Sequence, residues 1–597
     1  MFVYLFEAKS IQSYLFQSGK LIDVISASER LDRLIDSNES SVLHHVLTSA
    51  QLDSDLLDEN LPNHPQLIRF LRCKGGAFYC YAQQEQPLIK LRSLWTLTLQ
   101  QLFPSMEYTD ALVESEQLAN ALDKAHGQLA ADRNTPSLKF PVASAPCLAF
   151  PRTGRASVAM SALARKAKSS EQELNVDLDT DLHRQAYQAL DMRKAAALQD
   201  KFTPDHLKGT FFYPIDLEKD FKFEYSNELI SRAQSEAIKD IALIHIDGNG
   251  LGILLMALKS ALQGSNDDDF RKAFRQFSEA LNQATTEAAQ QATQFVYDCA
   301  KYLNFNDRKQ PRLMVPIRPI VLGGDDITLL CRADLALQYS QIFCSEFKVA
   351  SQKALEPLFN NYLRQGSSAT EKPTQILDYL TASGGILYHK AGHPFTHSHH
   401  LVETLCNHAK KLTKSVNKND QQVGPAALAF HRLSNAVHDD FNDIINGSLT
   451  FALEEGKSMQ IGQAAYFVDD QAPRHMPFSF DKLSQLVELS SQTGAPVSIA
   501  RWRQMATCIA QGDIHEADRI YHRGCSLANP KEVEKLNSLL VALTPDDCEQ
   551  TNWYWHNEQE LEHKKYYSII NDLLITHHFQ SYANSEITQH NEELNNG

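Results

Sequence analysis

Two glycine-turn hairpins constrain this chain more than any other feature. In the first, residues 67–72 read as a strand, Lys74-Gly75-Gly76 as a tight turn and 78–81 as the returning strand. In the second, 313–322 read as a strand, Gly323-Gly324-Asp325-Asp326 as the turn and 327–330 as the return. Each hairpin follows an apolar strand and a helical stretch. For the first these are 2–6 and 11–35, with a helical pattern at 87–103 after it. For the second they are 241–246, ended by Asp247-Gly248-Asn249-Gly250, and 251–302, interrupted near Gly264-Ser265-Asn266. A helix over 333–358, a strand near 383–388 and a helix over 398–414 complete the second unit. The order is βαββαβ, so the expected fold is α+β with two ferredoxin-like units. Laid over each other, Glu7 falls on Asp247, and Gly75-Gly76-Ala77-Phe78 falls on Gly323-Gly324-Asp325-Asp326. The expected boundaries are 1–135 and 236–420 for the two units and 136–235 for a connector. A mainly helical domain is expected over 421–580, and a polar tail over 581–597.

At 597 residues the chain has length for about four domains. Its 57 basic and 73 acidic side chains give a net charge of −16, a poor basis for autonomous nucleic-acid binding. No apolar run is long enough for a membrane span, and the first residues read as a mature strand and helix rather than a signal peptide. The 10 cysteines contain no CxxC pair, which points to reduced thiols, a cytoplasmic location and no structural zinc. His393, His397, His399 and His400 read as a polar loop or helix start rather than a metal site. Asp267, Asp268 and Asp269 read as a solvated loop, and His438-Asp439 as an isolated dipeptide.

The second unit carries the chemistry. Its topology brings Asp247 beside a hairpin whose turn holds Asp325 and Asp326, 78 and 79 positions further on. Three close carboxylates repel one another, and a pair of Mg²⁺ or Mn²⁺ ions removes that penalty. This ligand set suits two-metal phosphoryl or nucleotidyl transfer, with Asp247, Asp325 and Asp326 both catalytic and metal-binding. Gly323 and Gly324 are expected to use positive φ and to let a nucleotide approach the backbone. Gly248, Gly250 and Gly252 are expected to leave room and free N–H groups for phosphate oxygens, and Asn249 lies in the same turn. Lys410 sits on a helix face, exposed to solvent or serving as a counter-charge.

These residues resemble the large, polymerase-like subunit of type III CRISPR effector complexes. IHIDGNGLG, VLGGDD, TASGGILYH and a helix ending CNHAKK occur in that family's order. The segment IQSYLFQSGKLIDVISASERL, with Ile11-Gln12, resembles the opening of its first, non-catalytic palm. The resemblance implies two facing palms that bind ATP, and a metal-dependent catalytic palm that makes cyclic oligoadenylate second messengers in antiviral defence. It implies nucleotide contacts for Lys410 and Ser383. It also implies effector-complex subunits and a guide RNA as partners, met through the connector and the C-terminal domain. The chain starts at the first palm, so the family's HD nuclease is not expected. Where family members carry paired cysteines between the palms, this sequence has Cys147 alone. Two other readings are a non-catalytic scaffold of a ribonucleoprotein complex and a diguanylate-cyclase-like synthase. Against the latter, Ile327 stands where those enzymes place Phe.

Overall fold

The computed structural model describes residues 1–133, 148–166, 174–189, 197–215, 240–302, 313–363, 377–393, 395–416, 422–433, 440–468, 475–557 and 565–580. Cys147, His438-Asp439 and the polar tail lie outside them. The molecule is mixed α+β.

Its first sheet runs Arg69–Lys74, Ala77–Ala82, Phe2–Ala8, Tyr108–Glu114 in spatial order, and every neighbouring pair is antiparallel. Both faces are covered. On one side Phe6 stacks on Phe78 at 5.3 Å and meets Trp95 edge-on at 5.3 Å. Trp95 comes from the helix Glu85–Leu102. On the other side Val3, Leu5, Tyr79 and Tyr81 join the large core shared with the rest of the chain. The helical stretch expected over 11–35 is two helices, Ile11–Phe16 and Leu21–Asp32, separated where Gly19 takes φ 68°. The strand Tyr108–Glu114 was not legible, because only Thr109 and Ala111 are buried and Thr109 and Asp110 break its apolar pattern.

The second sheet runs Ile317–Gly323, Asp326–Arg332, Asp240–Asn249, Thr381–Lys390, Ala427–Arg432, Ala465–Phe467. Its first four strands repeat the order of the first sheet: hairpin, then opening strand, then last strand. The opening strand is apolar and buried on both faces, as a central strand requires. The helix Phe395–Val416 packs on this sheet, and the helices Asp267–Tyr302 and Ala333–Leu358 pack on each other.

Two strands lie beyond residue 420, so the sheet does not end there. Ala427–Arg432 offers only a four-residue apolar run before His431 and Arg432, and periodicity cannot separate such a strand from a piece of helix. The segment after it is not simply helical. Four helices span Phe480–Ser491, Ile499–Ala510, Ile514–Leu527 and Pro530–Ala542, but a five-stranded sheet also forms there from Thr450–Ala452, Ser458–Gln460, Lys565–Tyr567, Tyr554–Asn557 and Cys548–Thr551. Among the described residues no cysteine is in a disulfide, and no helix is long and apolar enough to cross a membrane.

Charge ties the two sheets' units together. Asp267, Asp268 and Asp269 form the first turn of a helix rather than a solvated loop. Asp267 accepts from the Leu118 N–H at 2.9 Å, and Asp268 meets Arg69 at 3.5 Å. One turn on, the buried Arg271 donates to the buried Asp55 at 3.0 Å. Arg271→Ala leaves that carboxylate with Arg275, 4.0 Å away, as its nearest counter-charge. The substitution is expected to cost about 3 kcal/mol, seen as a lower urea midpoint, with Lys272→Ala on the exposed side of the same helix as an unshifted control.

Candidate active site

Strand register assembles the acidic cluster. Asp247, near the end of the opening strand, pairs directly with Asp326 at the start of the returning hairpin strand. Asp325 occupies the turn between the hairpin strands, and its backbone carbonyl accepts the Gly248 N–H at 3.1 Å. Burial, with the charge of Asp247, its hydrogen bond and the charge of Asp326 added, pushes the Asp325 carboxyl up to about 8. Burial and Asp247 push Asp326 up to about 7.

Two side chains answer this charge. Lys410, half-buried on the helix Phe395–Val416, donates to Asp247 and lies 3.4 Å from the Gly248 carbonyl. Burial alone lowers an ammonium's affinity for its proton; here the Asp247 charge outweighs it, and Lys410 titrates above its usual range. Gln12 reaches in from the first unit, its Nε2 donating to Asp326 Oδ2 at 2.9 Å. His245 lies two residues before Asp247, near Thr328 Oγ1 at 3.0 Å, and burial pulls its imidazole down to about 4. His245, Glu403 and Asn407 also line the site; His245 and Asn407 fall inside IHIDGNGLG and CNHAKK without standing out there, and Glu403 lies in no motif.

The glycines act differently from the sequence expectation. Of the pair Gly323-Gly324, only Gly324 takes positive φ, 63°, and Thr285 Oγ1 holds its carbonyl at 2.7 Å. The Gly248 N–H is taken by Asp325 and is not free for a phosphate. A Cβ on Gly248 would lie 2.7 Å from Leu251 Cδ1 and 3.0 Å from Asp325 Cβ, so its lack of a side chain is what seats Asp325. Gly250, at φ 86°, turns the chain into the helix Leu251–Ala261 and is covered by Val423. Gly252 faces open space. Gly248→Ala is expected to displace Asp325 and to lower stability by about 1–3 kcal/mol, measurable by thermal melting.

Asn249 and Ser383 are buried together. Asn249 Nδ2 donates to Ser383 Oγ at 2.8 Å and Thr381 Oγ1 at 3.1 Å, and Thr413 Oγ1 lies 3.1 Å from Ser383 Oγ. Their polar groups are satisfied inside the sheet–helix layer, and neither lines the two cavities at the carboxylates.

The repeat also shifts by one residue. Glu7 pairs with Ala77 as Asp247 pairs with Asp326, and Lys74 pairs with Ala77 as Gly323 pairs with Asp326. Gly76 and Ala77 therefore stand where the second unit has Asp325 and Asp326. Aligning the two Gly-Gly pairs by identity put Ala77 and Phe78 there; hydrogen-bond register decides otherwise. Glu7 is engaged by the Tyr79 hydroxyl and by Arg133 at 2.9 Å. Burial opposes its ionisation, but these partners outweigh it and hold the carboxyl below its usual range.

The two hairpin turns abut, with Gly75 Cα 3.9 Å from where a Gly323 Cβ would stand. Between them opens a cavity of about 500 Å³ whose wall includes Gln12, Arg72, Lys74, Lys201, Asp325 and Asp326. Lys201 bridges Asp32 at 2.6 Å and Asp36 at 3.7 Å. A second cavity of about 380 Å³ lies on the Asp247 side of the carboxylates.

As the side chains stand, no group of three or more His, Cys, Asp or Glu among the described residues is arranged to hold a metal ion. Asp247 is turned to Lys410 and Asp326 to Gln12. The donor set still fits a hard cation: two carboxyls driven to retain protons near neutrality lack positive charge, which a divalent ion supplies. The histidines give no such group. His393 Nδ1 meets Ser398 Oγ at 2.9 Å, and His399 stacks on Phe16 at 4.3 Å.

No family model matches this sequence, and no curated protein matches it. Solved structures do. The Csm1–Csm4 cassette in complex with cA3 is similar at 11% identity and TM-score 0.42, over 97% of this chain and 69% of that chain. The cassette in complex with one ATP is similar at 12% identity and TM-score 0.38, over 91% of this chain and 70% of that one. Csm1 in T.onnurineus is similar at 12% identity and TM-score 0.37, over 91% and 69%.

Proposed function

We propose that this chain is a metal-dependent nucleotidyltransferase that joins adenylates from ATP into cyclic oligoadenylates. It would act in antiviral defence as the large, cytoplasmic subunit of a type III CRISPR effector complex. In this reading the two sheets are ferredoxin-like palms, the first non-catalytic and the second catalytic. The connector and the C-terminal domain dock the neighbouring subunits and the guide RNA. The observation that carries the reading is the meeting of Asp247, Asp325 and Asp326 at one sheet end, beside a cavity bounded by both hairpins. The order of the motifs in the sequence supports the same class.

Asp247, Asp325 and Asp326 would hold Mg²⁺ or Mn²⁺. When bound, the ions supply activation of a ribose hydroxyl and neutralise triphosphate charge. The chain's own groups do the rest. Lys410 holds positive charge against Asp247 at the sheet end. Arg72 and Lys74, the latter 3.7 Å from Asp36, place cationic groups on the wall of the cavity that Asp325 and Asp326 also line, where triphosphate oxygens need them.

The test is incubation of the purified chain with each labelled nucleoside triphosphate and Mn²⁺, with products resolved by chromatography and mass spectrometry. A cyclic adenylate that disappears with EDTA is the expected result. Absence of product from every triphosphate, also after co-expression with its neighbouring subunits, contradicts the proposal.

A further inference from the structure

The first unit does more than mirror the second. Its short helix Ile11–Phe16 follows Ser10, a non-glycine residue at φ 48° and ψ 42°. Such a conformation persists only where the surroundings hold it. They do so from three sides. Tyr14 Oη donates to the buried Asp179 at 2.6 Å and lies 3.2 Å from His183 Nε2. Thr396 Oγ1 donates to the Phe16 carbonyl at 2.9 Å, and the Phe16 ring stacks on His399. Ile11 fills the space where a Gly76 side chain would stand. The helix is thus pinned to the connector, to the first hairpin and to the helix that carries Lys410. Gln12 is its one residue aimed at the acidic cluster, and it contacts Asp326 across 314 positions of sequence.

We infer that Gln12 is a positioning residue for the metal site: its amide fixes the Asp326 carboxylate in the orientation that receives a divalent cation. The inference rests on the metal-dependent reading of Asp247, Asp325 and Asp326. It adds that the catalytic unit's site is completed by the first unit. An anionic ligand whose outer oxygen is held by a neutral donor keeps its charge and loses its rotational freedom, so the metal meets a preset geometry. The three anchors of the helix explain why a donor on a six-residue helix holds a fixed place.

The test is titration of the purified full chain with Mn²⁺ alone, without nucleotide, by calorimetry or by the paramagnetic resonance of free Mn²⁺. Unaltered protein, Gln12→Leu and Asp326→Ala are compared, with melting temperatures taken in EDTA. Gln12→Leu keeps the volume and removes the donor. It is expected to weaken Mn²⁺ binding by about 10-fold or more with an unchanged melting temperature. At saturating Mn²⁺ its turnover of ATP is expected to recover while KM for ATP stays put, a split that a displaced helix would not give. Equal Mn²⁺ affinity in Gln12→Leu and the unaltered chain, with Asp326→Ala weakened, overturns the role of Gln12 and leaves the metal site standing. No Mn²⁺ binding by the unaltered chain overturns the metal reading itself, and the role of Gln12 with it.

Discussion

Replacing Asp325 and Asp326 together by alanine is expected to remove nucleotide joining altogether and to leave the chain folded. Each carboxylate is part of a preset charge arrangement, and loss of one such group costs about 10²–10³ in rate. Together they would remove both carboxylates that the hairpin contributes to the proposed metal site, so a fall of at least about 10³-fold is expected. Folding does not depend on them. The hairpin is held by its ladder, from Ile317↔Cys331 to Gly323↔Asp326, and by Thr285 on the turn carbonyl. Circular dichroism and the product assay on one preparation check both halves. Product formation by the folded double variant removes these residues from the site.

The second large effect is on stability against pH. Asp325 and Asp326 are pushed up to about 8 and about 7 by burial and by the charge of Asp247. Their unfolded values lie near 4, so between those limits the folded state binds more protons than the unfolded state. Stability contributed by these groups is therefore present below about pH 4 and is lost as pH rises through about 7–8. In EDTA, the chain is expected to melt several degrees lower at about pH 8 than at about pH 5.5. Asp325→Asn with Asp326→Asn removes the groups that titrate and is expected to flatten this difference. That variant also separates the local effect from the repulsion of a chain with net charge −16. Mn²⁺ is expected to raise the pH 8 melting temperature of the unaltered chain and to leave the double Asn variant unmoved. An equal pH dependence in the two proteins places the cause elsewhere.

Much of the fold was legible because strong local signals fixed it. The strands around both hairpins, the break between Ala261 and Asp267 and the helix Ala333–Leu358 follow from apolar period, glycine turns and helix length. The failures share one cause: the decisive partner was distant. Ala427–Arg432 became a strand only because Thr381–Lys390 offered it a parallel edge. Tyr108–Glu114 is a strand because the edge of Phe2–Ala8 was open to it. The acidic run 267–269 opens a helix whose first turn meets Arg69 and the Leu118 N–H, both distant in sequence.

The same division runs through the site. The sequence by itself determined which residue types are present, in what order, and that Asp247 and the Asp325-Asp326 pair stand at the ends of strands. Those facts are local, written in glycine turns and apolar runs. Only the tertiary structure decided that Asp326, rather than Asp325, sits opposite Asp247, and that Ser383 and Asn249 turn inward to each other. It alone decided that the first unit's turn is offset by one residue and that Gln12 reaches Asp326 from the other unit. Register and inter-unit packing are set by hydrogen-bond ladders and buried faces summed over many residues, and no single segment carries that sum.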